Sequence, residues 1–107
     1  MRKIVWHNAT KDDLLDIVSY LKRSFGKAVA KKGLSEIKET VNLLATFPFL
    51  GTKDDSMTYY DYAIYTLHSR YNRILYTVRE KDVLILIIWN NRRDISKIAE
   101  ILKDRDN

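Results

Sequence analysis

Hydrophobic and polar positions alternate with two different periods along this chain, and the change of period divides it into a helical half and a strand half. Ile4, Val5 and Trp6 form a short apolar run of strand-forming residues. Asn8 and Thr10 follow, both suited to capping a helix, and Asp13 stands three residues after Thr10 as in a capping box. From there Leu14, Ile17, Val18, Leu21 and Phe25 recur every three or four positions, which predicts one apolar stripe on a helix that Gly26 ends. Ala30, Leu34, Ile37, Val41, Leu44 and Ala45 repeat the pattern on a second helix up to Phe47-Pro48, because proline disfavours helical dihedrals in the residue before it. Gly33 weakens the middle of that helix. Two amphipathic helices joined this closely read as a hairpin whose shared stripe needs an apolar surface to lie on.

The second half supplies that surface. A loop is expected over Leu50 to Ser56, then strands at about Tyr60 to His68, Tyr71 to Arg79 and Val83 to Trp89. The links Ser69-Arg70 and Glu80-Lys-Asp82 are short enough to make these strands antiparallel neighbours. In the middle run, Ile74, Tyr76 and Val78 alternate with Arg73, Thr77 and Arg79, the pattern of one buried and one wetter face. The last run is apolar on both parities, so both of its faces are expected to be covered. One face belongs to the helical hairpin. The other is open to a partner or to a final helix, capped by Asp94 and carrying Ile95, Ile98, Ala99 and Leu102, before the charged tail Lys103 to Asn107. The expected architecture is α+β: an N-terminal strand, a two-helix hairpin packed on an antiparallel sheet of three to four strands, and a short C-terminal helix.

Composition narrows the setting. A chain of 107 residues fits one domain with one core, residues 1–107. No cysteine is present, which removes disulfides and thiolate metal sites and suits a reducing cytoplasm. The apolar run Val83 to Trp89 falls far short of the roughly 20 residues that span a bilayer, and the N-terminus has no signal-peptide pattern, so no membrane association is expected. Nineteen Lys and Arg against fourteen Asp and Glu leave a net charge of +5, which favours nucleic acid or an acidic protein as partner.

Four ordered motifs add a resemblance. Trp6, Ala9, Asp13-Leu14, Ile17 and Tyr20 resemble the first-helix pattern of the RelE/ParE superfamily of type II toxins, the plasmid stabilisation proteins. Phe47-Pro-Phe-Leu-Gly51 is similar to the helix-ending P-x-x-G of those toxins, and Tyr71-Asn-Arg-Ile-Leu-Tyr76 to their Y-R-I-x-Y strand. Val83 to Asp94 resembles their closing strand with its R-R-D ending. Each match is weak alone; together, in order over residues 4 to 95, they are specific. The resemblance implies a toxin neutralised by an antitoxin, as part of a toxin–antitoxin hetero-oligomer. RelE-like members cleave messenger RNA on the ribosome, and ParE-like members poison DNA gyrase.

A metal-free RNase needs a proton carrier and several cations around the reacting phosphate. The candidates are His68, Tyr71, Arg70, Arg73, Arg92 and Arg93, with a cationic cluster expected on one side of the sheet. Each has a plainer reading. His68 beside a turn is a solvated loop residue, Arg92 and Arg93 pair with Asp94, Glu100 or the tail, and the seven tyrosines pack the sheet. His7 is read as structural. The mRNA-cleaving relatives carry a Tyr or His shortly after the last strand, whereas residues 94–103 here contain neither. This favours the ParE-like, non-enzymatic reading, with Arg70, Arg73, Arg92 and Arg93 as target-binding residues. The alternative is a ribosome-dependent endonuclease using Arg73, Arg92, Arg93 and His68. A third class, a non-toxic basic module binding nucleic acid, stays open. No cofactor or metal is expected.

Overall fold

The computed structural model describes residues 1–105. Strand β1 (Lys3–Trp6) leads into helix α1 (Thr10–Phe25) and, after Gly26, helix α2 (Lys27–Leu43). Strands β2 (Thr52–Tyr59), β3 (Tyr62–His68), β4 (Asn72–Val78) and β5 (Asp82–Asn90) follow, and a 3₁₀ turn at Ile95–Lys97 opens α3 (Ile98–Asp104). The α+β order is the expected one. Of the expected charged tail, Lys103 and Asp104 belong to α3, and Asp106 and Asn107 lie outside the described residues.

The sheet has five strands in the order β1-β5-β4-β3-β2. Four are antiparallel neighbours, while β1 joins parallel to β5, with Lys3 opposite Asp82 and Trp6 opposite Ile85. Of the segment Leu50 to Ser56, expected to be a loop, Thr52 to Ser56 are instead the start of β2, an edge strand. Its polar sequence Thr52-Lys-Asp-Asp-Ser56 hides it, since an edge strand held by a neighbour's backbone needs no apolar face. Tyr60 belongs to the turn between β2 and β3, with a positive φ of 52°, and not to the strand predicted over it.

The hairpin stripe lands as patterned. Ile17 and Leu21 of α1, Ala30, Ile37 and Val41 of α2, and Leu44 just beyond it bury against Ile74, Tyr76, Val83, Ile85 and Ile88. Gly26 ends α1 with φ 94°, a conformation glycine adopts without strain. Phe25 does not join the core; it is exposed, its edge against the Tyr20 ring at 6.2 Å. α2 stops at Leu43, and the chain turns before Phe47-Pro48. Neither Asn8 nor Thr10 caps α1: the N-cap position is Ala9, without a side-chain bond, and the Thr10 hydroxyl donates to the His7 carbonyl.

The other sheet face is covered too. Tyr59, Ile64, Leu75, Leu84, Leu86, Ile87 and Trp89 pack with Ile98 and Leu102, so α3 is the occupant left open by the sequence. A register shift in β5 between the residues facing Leu75 and Tyr76 turns both Leu86 and Ile87 towards α3. β4 therefore has no wet face at its centre: Leu75 is buried, and Thr77 is buried while donating to the Ala63 carbonyl. Asp94 caps the 3₁₀ turn by accepting from the Ser96 N–H, as expected of it.

Candidate functional site

Three side chains form a row across the α3 face of the sheet. In the ladders His68 of β3 stands opposite Arg73 of β4, and Arg73 stands opposite Trp89 of β5. Directly opposed residues project to the same side of a sheet, and Trp89 lies in the cluster beneath α3. The plainer reading of His68 as a loop residue is corrected: it ends β3, solvent-exposed, with its cross-strand neighbour an arginine.

Arg73 is half-buried and holds no ion pair within 4.0 Å and no side-chain hydrogen bond among the described residues; its Nε is sealed from solvent without a partner. It opens onto a hollow of about 410 Å³ between the irregular part of β2 and the start of α3, with the hydroxyl-bearing Ser56, Thr66 and Ser96 in the walls and Leu75 and Ile98 among the apolar ones. Asp54 also lines it; the amide and hydroxyl of Ser56 both donate to Asp54, which holds that carboxyl below the usual carboxylate range.

The other arginines rest on aromatic rings, not on Asp94, Glu100 or the tail as the plainer reading had it. Arg93 lies over the Trp89 ring at 4.7 Å, Arg92 over Tyr20 at 3.9 Å and Arg70 over Tyr71 at 5.1 Å. Such contacts hold a guanidinium in place while leaving its edge free for an acceptor. The turn after β5 explains the arrangement. Asn90 accepts from the Arg92 N–H through its side chain and from the Arg93 N–H through its carbonyl, and Asn91 donates to the Tyr71 carbonyl. That tight turn sends Arg92 towards α1 and Arg93 over Trp89.

The single cationic cluster expected from sequence is therefore divided. Arg73 and Arg93 flank Trp89 on the α3 side, with His68 one strand beyond Arg73. Arg70 and Arg92 line a hollow of about 200 Å³ on the hairpin side, with Tyr20, Leu21, Phe25 and Tyr71. Sequence reasoning missed Trp89 as the shared neighbour of Arg73 and Arg93; the β4–β5 register was the missing information. The tyrosines divide as well: Tyr65 stacks on Tyr76 at 5.6 Å inside the hairpin-side core, whereas Tyr60, Tyr62 and Tyr71 are exposed. Among the described residues no group of three His, Cys, Asp or Glu side chains could hold a metal ion.

A comparison with protein families matches residues 4–95 to the ParE toxin of type II toxin–antitoxin systems, parDE. The chain belongs to the ParE toxin family. A search of curated proteins gives no significant match. Among solved structures, a chain of a chromosomal ParDE toxin–antitoxin system from P. aeruginosa matches with a TM-score of 0.69 and 22% identity, covering 84% of this chain and 96% of that one. The toxin thus shares that chain's fold, and the four sequence motifs fall inside the matched family segment.

Proposed function

We propose that this toxin acts by binding DNA gyrase and blocking it, and that a co-encoded antitoxin holds it in check in the cytoplasm. The match to the ParE family over residues 4–95 carries this reading. The geometry is compatible: the arginines sit at strand ends with open surface beside them, as a binding inhibitor requires, and His68 is the one proton carrier among the candidates that stands beside Arg73. Among the described residues no helix is long and apolar enough to cross a membrane. Since α3 occupies the second sheet face, the antitoxin is expected on the hairpin side, where Arg70 and Arg92 suit an acidic segment and the exposed Phe25 and Tyr71 suit its apolar side chains.

One observation favours a second reading. The exposed His68 imidazole beside the uncommitted Arg73 guanidinium is a proton carrier next to a cation, the minimum for cleaving RNA at a ribose 2′-hydroxyl. Two assays on the purified toxin separate the readings: gyrase supercoiling and cleavage of ribosome-bound messenger. Blocked supercoiling with intact messenger supports gyrase inhibition, and cleaved messenger with normal supercoiling replaces it with the nuclease. Salt-steep binding to bare nucleic acid without growth arrest on expression would replace both with a simple binding module.

A further inference from the structure

Residues 7 and 105 are joined by an imidazole whose two nitrogens are both committed. The Ala9 N–H donates to His7 Nδ1 at 3.1 Å, so Nδ1 is the acceptor of the ring, and Nε2, 2.9 Å from the Arg105 carbonyl, is the donor. This is possible only for the neutral ring with its proton on Nε2. Arg105 is the residue on which α3 ends, and its guanidinium forms a two-point ion pair with Asp13 while donating to the Leu86 carbonyl. His7 thus fastens the backbone of the residue whose side chain anchors α3 to the sheet.

We propose that His7 is a proton-operated latch on α3, closed when the imidazole is neutral and released when it gains a second proton. A proton on Nδ1 points a donor at the Ala9 N–H, also a donor, so the ring must turn out of its present position. The charged groups that face it are Asp12, Asp13 and Asp16 of α1, Asp104 and Arg105 of α3, and Arg93 from the turn after β5, all lining one open hollow with His7. Asp13 is already engaged by Arg105, which leaves Asp12, Asp16 and Asp104 as acceptors for an imidazolium that has swung outward. Among the described residues the Arg105 carbonyl then keeps the longer hydrogen bond from the Tyr59 hydroxyl, at 3.3 Å. The end of α3 around Leu102 then loosens from the sheet face that it covers.

The test is amide hydrogen exchange of the full-length toxin, followed residue by residue by NMR between pH 7.5 and 5.0 and corrected for intrinsic exchange. The Ile101, Leu102 and Arg105 amides should open about tenfold more often at pH 5.0, as expected when one histidine proton is linked to opening across its titration range. The amides of α2, remote from His7, should not change. The His7 ring in the wild type should carry its proton on Nε2 at pH 7.5 and a proton on each nitrogen at pH 5.0, and His7→Gln should exchange independently of pH. A flat wild-type profile, a His7 ring that stays neutral at pH 5.0 while α3 opens, or an unaltered pH response in His7→Gln would each overturn the latch. The ring titration needs no variant, so a His7→Gln protein that fails to fold does not leave the question open.

Discussion

His68 and Arg73 stand opposite one another in the β3–β4 ladder, on the sheet face that α3 covers. Neither is tied to an acidic partner within 4.0 Å among the described residues. Arg73→Ala is expected to weaken inhibition of the target roughly 30-fold, the loss of about 2 kcal/mol typical of an anchoring arginine. Stability should fall by no more than about 1 kcal/mol, because the substitution breaks no internal pair and removes only stem packing. Growth arrest on expression and the urea midpoint measure the two effects separately. His68→Gln separates the two functional readings: supercoiling inhibition should persist unchanged, whereas a nuclease would lose about two to four orders of magnitude in cleavage rate.

The Asp13–Arg105 pair is the costliest to break. Both side chains are about nine-tenths buried, and Asp13 Oδ2 also accepts the Ile88 N–H. Asp13→Ala strands the Arg105 guanidinium and that amide, so urea denaturation should register a loss of about 3–5 kcal/mol. In the double variant Asp13→Leu/Arg105→Met no charge is left buried, and a good part of the loss should return. A double variant no more stable than Asp13→Ala would refute the ion-pair account.

Tyr76 couples the core to the loop after α2. Its hydroxyl accepts from the Gly51 N–H at 2.8 Å, and Tyr76→Phe should cost about 1 kcal/mol. Burial pushes the Tyr76 hydroxyl above its ordinary value of 10.0. Its contribution is thus fully present below that pH and lost as pH rises towards the folded-state value, since the unfolded chain ionises first. The phenylalanine variant should lack that part of the alkaline loss. Gly51→Ala should be worse than a surface change, by about 1–3 kcal/mol, because a Cβ there would lie 2.8 Å from the Tyr76 hydroxyl and 2.9 Å from the Thr66 carbonyl oxygen.

Asp94 gives a second pH signature, outside the range of the His7 latch. The bonds from Ser96 hold its carboxyl below the ordinary 3.8, so its cap stabilises the start of α3 above that pH and weakens as pH falls through the lower, folded-state value. Asp94→Ala should speed amide exchange of Ser96 and Lys97 at neutral pH, and the wild type should approach the variant only in strong acid. Equal exchange in the two proteins at pH 7 would contradict a capping role.

The helical half and the three central strands were legible because burial imposes period on sequence, as in Ile17 and Leu21 or Ile74 and Tyr76. β2 was not, because Thr52 to Ser56 are held by a neighbour's backbone and carry no apolar alternation. Asp13 was misread for a related reason. Three residues after Thr10 it fits a local cap, but its carboxylate serves Arg105 and the Ile88 amide, partners 92 and 75 positions away. Local spacing is blind to such distances. The arginines were legible as a set, and their division between two sides was not, since it depends on the Asn90 turn and on which face β4 gives to Arg73.

Because β1 pairs with β5, and Asp13 with both Arg105 and the Ile88 amide, segments far apart in sequence depend on each other for a finished structure. The helical hairpin can form early from contacts close in sequence, but the surface carrying Arg73 and Trp89 stays unassembled until β5 has paired with β4. Folding is therefore expected to finish on contacts that span most of the sequence, after the hairpin has already formed.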